Sequence, residues 1–502
     1  MSQGNSGNNV LIIGSGLGGL LCGAILSKEG FRVTVLEKNS VIGGCLQTFT
    51  RQGKTFDTGM HYIGSMEKGQ ILHTIFSYVG LTRKLRLKQL DIDCFDRISY
   101  MGKEYDLAQG FERFTDSLSA RFPGKKDEIS QYVKGLRKVV GMVDLYNLRP
   151  FRQENLFVNP GISIPASEYI AGLTKDNVLR NILAGLNGLY AGVKEGSPLY
   201  VHAVINHFFI QSAWRPIGGS SQIAAALSEI IETNGGEIIP RAEVQILHVD
   251  GDLIDKVITT DGREFHSEYI ISDIHPANTL RMLNGRSLRK AYINRVLKLE
   301  NSMGMFILYI ILKKDCFPYL NHNYYYFDKD DVWSDQNQDD DKWPSGFMMY
   351  TSARLMEQQY SENVVVMTYM KYDQVRPWEN TTVGKRGEAY EEFKAERAER
   401  LMDLVEKAFP GIRQKVERIY TSTPLTFRDY TGTIDGSAYG IIKDSRNFMD
   451  SFLIPRTKIP NLYLTGQNLN LHGILGVSLS ALITCAEFVG QEYLLKKVHD
   501  AV

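Results

Sequence analysis

Three glycines and one acid near the start of the chain have the types and spacing needed to hold a dinucleotide. Gly14, Gly16 and Gly19 fall at G-x-G-x-x-G spacing, and Glu37 follows about 20 residues on. Gly14 permits a tight turn, Gly16 lets backbone N–H groups approach a pyrophosphate, and Gly19 allows close helix packing. Ser15 and Gly18 complete the turn. A carboxylate at Glu37 would accept hydrogen bonds from ribose hydroxyls and would repel a nucleotide carrying a 2′-phosphate.

Such a turn works only between the right elements. Val10–Ile13 is a short apolar run suited to a buried parallel strand, and Leu17 to Glu29 has a helical pattern that stops at Gly30. Arg32–Leu36 is a second strand, rich in β-branched residues. The start of the intervening helix would offer its partial positive charge to the phosphates. Val10–Ser27 lacks charge and could pass for a membrane span or a signal sequence. The five glycines that interrupt it fit a strand, a turn and a helix, and no basic residue precedes it.

At 502 residues the chain is long enough for two or more domains. Its 57 basic and 57 acidic residues balance, which argues against a nucleic-acid partner. Cys22, Cys45, Cys94, Cys316 and Cys485 are scattered without C-x-x-C pairing, so neither a zinc site nor a disulfide framework is expected, and a cytoplasmic setting is. Asp328–Lys342 is crowded with aspartates but has neither the glycine nor the glutamate of a calcium loop, and reads as a solvated loop.

Along the chain, Met1–Asn9 reads as a mobile polar tail. Val41 to Phe49 contains the pair Gly43-Gly44 and leads to Phe56-Asp57-Thr58-Gly59-Met60-His61-Tyr62, a candidate wall for the rest of the cofactor. Helices are expected over Gly110–Phe122, Lys126–Val143 and Leu179–Leu189. The cluster Arg83 to Lys88 fits either a solvated element end or contact with an anionic membrane surface. Gln222–Thr233 reads as a helix. Strands at Glu237–Ile239, Glu243–Val249 and Leu253–Thr260 turn at Asp250-Gly251 and Asp261-Gly262. Tyr269–Ser272 is a further buried strand. Met303–Leu312 and Val364–Tyr369 read as strands, Lys385–Phe409 as a charged helix, and about Val477 to Leu495 as one apolar core helix.

A second strand-to-glycine turn, Leu462-Tyr463-Leu464-Thr465-Gly466-Gln467, precedes Gly476-Val477 at the head of that last helix. The helix start could face the negative charge of a reduced flavin near N1 and O2. The chain has no second G-x-G-x-x-G for a nicotinamide nucleotide, which favours flavin.

These motifs, with Pro216-Ile217-Gly218-Gly219 and its hairpins, resemble those of the phytoene desaturase and carotenoid isomerase superfamily. Thr423 to Thr426 and Gly436 to Gly440 are similar to its retinol saturase branch. The resemblance implies an α/β fold: a Rossmann-type FAD-binding domain of the glutathione-reductase kind, with an inserted α+β substrate domain. The FAD domain would comprise 1–64, 213–276 and 424–502, and the substrate domain 65–212 and 277–423. By position, Gly14, Ser15, Gly16 and Gly19 would hold the pyrophosphate. Glu37 and Lys38 would attend the adenosine ribose, and Gly43 and Gly44 the phosphate and ribityl chain. Val244 would grip the adenine with its backbone, and His61 would approach the isoalloxazine. Gly466, Gln467, Gly476 and Val477 would lie by the ribityl and pyrimidine. Gln467 stands where many relatives have an acid, and Leu471-His472-Gly473 replaces a His-Pro-Gly run.

The implied activity is redox chemistry, with FAD, on a C=C bond of an apolar polyene or isoprenoid lipid: saturation, desaturation or isomerisation. Saturation needs a proton donor, for which His61, Arg428, Tyr430 and His472 are candidates. Two alternatives share the fold. One is a flavin amine oxidase-like enzyme using Tyr430 or Tyr439 beside the flavin. The other is a prenyl-chain carrier, against which the intact glycine turn counts. A membrane-dissolved substrate implies peripheral contact with the inner face of a membrane, through the helical middle segments.

Overall fold

The computed structural model describes residues 8–150, 163–285, 288–333 and 342–502. Val10 to Ile13 are all buried, and Asn9–Ile13 forms the middle strand of a five-stranded parallel sheet. The strand order is Glu237–Ile239, Arg32–Leu36, Asn9–Ile13, Tyr269–Ser272, Leu462–Leu464. Ile12 is level with Val35 on one side and Ile271 on the other. Strands buried on both faces need continuous apolar runs and not alternation, which these sequences supply. Three distant parts of the chain therefore build this sheet.

The helix Leu17–Lys28 is buried on nearly every side because two other helices flank it, Ser221–Thr233 and Gly473–Val489. Small residues make the approach possible. A Cβ on Gly23 would stand 2.8 Å from Ile231 Cδ1, and Cys22 Sγ lies 3.8 Å from the Ala481 carbonyl. This three-sided burial explains a charge-free stretch that is not a membrane span. Among the described residues no helix is long and apolar enough to cross a membrane.

A seven-stranded mixed sheet forms the second layer. Its order is Val416–Ser422, Gly304–Leu312, Asn363–Met370, Gly346–Thr351, Asn323–Phe327, Asp96–Tyr100, Lys103–Leu107. Along Gly304–Leu312 side chains alternate between two cores. Phe306, Leu308 and Ile310 pack with Leu401 and Val405 of the helix Glu388–Ala408. Ile307, Tyr309 and Ile311 face Phe56 and Tyr350. The helices Phe111–Arg121, Lys126–Met142 and Leu199–Gln211 pack beside this sheet and join the main core. The expected hairpins at Gly251 and Gly262 are present, both glycines having positive φ.

Several elements differ from expectation. Asn9 is already in the first strand, while residues 1–7 and most of the aspartate-rich loop lie outside the described residues. Leu179–Leu189 is not one helix but Asn177–Ala184 followed by a 3-10 turn at Asn187–Tyr190. The last helix begins at Gly473 and ends at Gly490, whose φ of 88° breaks the run before Gln491–His499. Gly476 thus lies inside a helix, and a Cβ there would be 2.3 Å from the Leu471 carbonyl oxygen. Its glycine serves a close approach and not a turn. Pro424–Thr431, left without an element by the sequence pattern, is a helix with a Thr423/Thr426 capping box.

Gly19 carries the helix-to-strand contact most sharply, since an added Cβ would meet the Gly14 carbonyl oxygen at 2.1 Å. Gly19→Ala is expected to destabilise the protein by about 1–3 kcal/mol through overpacking. A urea-unfolding midpoint unchanged by the substitution would show that the turn tolerates the added methyl.

Candidate functional site

The first glycine turn is built as the spacing requires. Gly14 has φ 97°, and its N–H donates to the Leu36 carbonyl at 2.8 Å. Gly16 caps the helix Leu17–Lys28 in an extended conformation, with no side-chain cap and no acid in the first turn. The helix's positive end is therefore unscreened from within its own first turn. Gly43 N–H donates to the Ser15 carbonyl at 3.0 Å, bringing Gly44 over the turn, where its Cβ would sit 3.3 Å from Gly16 Cα. Glu37, buried, accepts from Ser15 N–H at 3.1 Å, from the Ser15 hydroxyl at 2.5 Å and from Asn39 N–H at 2.7 Å. Those bonds fix the carboxylate at the end of the second strand.

A cavity of about 310 Å³ opens from this turn and runs between the parallel sheet and the mixed sheet. Gly16, Gly18, Gly43 and Gly44 line one end, together with His61. Gln467, from the turn after Leu462–Leu464, lines it with His472 and Val477 at the start of the helix Gly473–Val489, whose cap residue, His472, makes no side-chain capping bond. The rest of the wall is largely apolar: Phe208, Phe209, Ile307, Phe347, Met348 and Met367 contribute.

The other predicted site residues do not face this cavity. Gly14, Ser15, Gly19 and Gly466 stand behind it and shape the turns; Gly466 has φ 91°. Lys38 Nζ donates to the Asp429 carbonyl at 2.8 Å, and Val244 is buried in a core it shares with Leu11, Ile13 and Leu36. Gly476 supports the helix instead of the cavity. Two catalytic candidates are corrected. Arg428 donates to the Tyr372 hydroxyl at 3.0 Å and the Glu379 carbonyl at 2.7 Å, away from the cavity. Tyr430 is 48% exposed. The cause is helical periodicity: Phe427 and Thr431, four residues apart, share the face of Pro424–Thr431 that lines the cavity, and that excludes Arg428 and Tyr430.

His61 lies between two rings, 4.4 Å from Tyr350 and 4.7 Å from Tyr62. Burial, and then the charge of Arg215, push its pKa down to about 3, while burial does the same for His472. Both imidazoles are neutral at ordinary pH, so neither is a ready acid. His61 Nε2 is buried with no partner, on a residue that lines the cavity. An orphaned nitrogen beside a glycine cradle and an uncapped helix end fits a polar, anionic dinucleotide.

A buried polar network adjoins His61 through its neighbour Tyr62. The hydroxyls of Tyr62 and Tyr325, both cavity residues, are 3.2 Å apart, and Tyr62 donates to Asp96 at 3.2 Å. Asn323 Nδ2 donates to Asp96 at 2.7 Å and accepts from Arg215 at 2.6 Å through its oxygen. Burial raises Asp96 to about 7, against its hydrogen bonds and the Arg215 charge. Asn323 and Tyr325 share the strand Asn323–Phe327, but Tyr62, Asp96 and Arg215 reach them from three remote segments, so no local spacing reveals the network. Asp273 was missed for the same reason: it follows the strand Tyr269–Ser272 and lines the cavity beside Gly16 and Gly18.

Residues 12–79 match the model of the NAD(P)-binding Rossmann-like domain. The human all-trans-retinol 13,14-reductase is 29% identical, the alignment covering 95% of this chain and 84% of that protein. The chain resembles the all-trans-retinol 13,14-reductases over nearly its whole length. The resemblance to these reductases extends to the chloroplastic prolycopene isomerase of Arabidopsis thaliana, at 23% identity over 98% of this chain and 84% of that one. An oxidoreductase from Methanosarcina mazei shares the fold with a TM-score of 0.66, at 18% identity over 94% and 99% of the two chains. Putrescine oxidase shares it at 0.64, with 13% identity over 96% and 99%. The chain thus has a Rossmann-type α/β fold, shared with these two proteins.

Asp96 makes a test of the buried network. Its folded value lies above the 3.8 of a free carboxyl, so its contribution to stability is full below 3.8 and is lost as pH rises through about 7. Asp57, raised by burial to about 6, slopes the same way. Asp96→Asn is expected to flatten the fall in melting temperature between pH 4 and 8 without abolishing it. Identical pH profiles for the two proteins would mean that Asp96 is ionised throughout.

Proposed function

We propose that the chain is an FAD-dependent oxidoreductase acting on a C=C bond of an apolar polyene or isoprenoid lipid. The observation that carries this reading is that the glycine cradle and the apolar wall belong to one continuous cavity. A dinucleotide held at Gly16 and Gly44 would extend toward His61 and His472, and the remaining wall is largely apolar. The similarity to proteins named all-trans-retinol 13,14-reductase and prolycopene isomerase points to the same class of bond. On this reading 1–64, 213–276 and 424–502 form the cofactor domain, and 65–212 and 277–423 the substrate domain.

FAD, when bound, would supply the two-electron chemistry. Gly16, Gly18 and Gly44 would bring backbone N–H groups to the diphosphate, Glu37 would take ribose hydroxyls, and the uncapped start of Gly473–Val489 would favour negative charge on the ring. His61 Nε2 would gain a partner. The walls Phe208, Phe347 and Met367 exclude water from a polyene. The paired Tyr62 and Tyr325 hydroxyls, backed by Asp96, hold a proton at the cavity wall without needing a charged histidine.

The purified protein is expected to carry FAD. After anaerobic reduction with dithionite, retinol, a carotenoid or an unsaturated lipid should restore the oxidised flavin spectrum, and putrescine should not. Reduction of the oxidised flavin by putrescine, with no response to any polyene, would move the protein to the amine oxidases; a colourless protein without affinity for FAD would leave a carrier. In the responding assay, Tyr325→Phe should slow turnover about 10²-fold or more with FAD still bound. Tyr430→Phe, outside the cavity, should leave it unchanged.

A lipid-dissolved substrate calls for a surface that meets a bilayer. Leu355 and Met356 are each 60% exposed on a loop tied to Gly218 through the Ala353 carbonyl. The neighbouring Ile217 N–H donates to Arg86, within the basic cluster. Apolar side chains beside cations match an anionic membrane surface. The protein should float with phosphatidylcholine vesicles containing phosphatidylserine at low salt, and Leu355→Asp with Met356→Asp should abolish this. Equal flotation of the variant would place any docking surface elsewhere.

A further inference from the structure

We propose that Asp273 couples dinucleotide binding to the uptake of one proton on its own carboxyl group. The inference rests on the dinucleotide reading of the glycine cradle and deepens it. Asp273 leaves the parallel sheet at the end of Tyr269–Ser272, where its own N–H is held by the Ile13 carbonyl at 2.9 Å. Its side chain then lies between the two glycine turns. Cβ atoms built on Gly16, Gly18 and Gly466 would stand 2.5, 2.3 and 2.4 Å from its carboxyl oxygens. Glycine at all three positions leaves the space this carboxyl occupies, and Asp273 lines the cavity.

A carboxylate there stands at the start of Leu17–Lys28, where the diphosphate's charge is expected. Two like charges at such separations repel strongly in a water-poor site. Either the carboxyl is neutral when the diphosphate is present, or binding is weakened. The surroundings already favour the neutral form: burial raises Asp273 to about 7, and Glu37 adds to this, while the Gly19 N–H opposes it. A bound diphosphate would raise it further.

The other groups facing the site do not supply this titration. Cys45 is raised to about 11 and His275 lowered to about 4, so both stay neutral from pH 6 to 9. Glu37 also faces the turn, its carboxylate accepting from Ser15 and Asn39. Lys443, just past the second turn, is lowered by burial to about 7, but its ammonium is engaged by the Ser451, Asn468 and Leu469 carbonyls. A variant at position 273 separates the two.

The sign follows directly. Below about 7 the free carboxyl already holds its proton and binding exchanges none; above it the proton must come from solvent, and affinity falls about tenfold per pH unit. The test is calorimetric titration of the full-length protein, freed of bound nucleotide, with FAD. Measurements at pH 8.5 in two buffers of different ionisation enthalpy should report uptake of nearly one proton. The dissociation constant should rise about tenfold from pH 6 to pH 8. Asp273→Asn should remove both effects and bind more tightly than the wild type at pH 8.5. Binding by the wild type with no net proton exchange at pH 8.5 overturns the inference and leaves the dinucleotide reading intact, and this measurement does not depend on the variant. An Asn variant that keeps the full slope assigns the proton to Lys443 and overturns it as well. Absence of FAD binding at every pH overturns both.

Discussion

The parallel pairing of Asn9–Ile13 with Arg32–Leu36 and Tyr269–Ser272 is the contact on which every part of the site depends. Strand ends in a parallel sheet point the same way, so the loops that leave them gather at one edge. Gly14 to Gly19, Glu37, Asp273 and Gly466 all leave this sheet at that edge, although they are far apart in the chain. The helix Leu17–Lys28 is then held between two other helices and cannot move its N-terminus from the cavity. Close approach at Gly19 and Gly23 is what makes this packing possible, and a single methyl group is enough to oppose it.

The cavity places titratable groups where water is scarce, and the protein responds by keeping them neutral. His61 and His472 are held as free imidazoles, and Asp96 and Asp273 are shifted toward the protonated form. Arg215 is the exception, a buried cation held largely by neutral oxygens of Leu320, His322 and Asn323. Its field lowers His61 and partly offsets the burial of Asp57 and Asp96. Proton storage at this wall therefore falls to tyrosines and a carboxylic acid, groups that can carry a hydrogen without carrying charge.

The cofactor end of the molecule was legible from residue order because it uses local geometry. A strand, a turn needing φ above zero at Gly14, and a helix that must lie against the strand are all encoded within about thirty neighbouring residues. Gly43 and Gly44, His61, Gln467 and His472, singled out by the sequence, all line the cavity. The hairpins at Gly251 and Gly262 were legible for the same reason.

Other residues were decided by contacts between remote segments. Arg428 and Tyr430 had suitable chemistry, but the helix Pro424–Thr431 turns Phe427 and Thr431 to the cavity in their place. Asp273 becomes notable only when Gly16, Gly18 and Gly466 close around it, and Asp96 only when Tyr62, Tyr325 and Asn323 converge. Spacing along the chain reports φ, ψ and the face of one element, so it reveals a dinucleotide turn. It carries no record of which faces of distant elements meet, and it is that meeting which sets the apolar wall, the neutral histidines and the shared carboxyl.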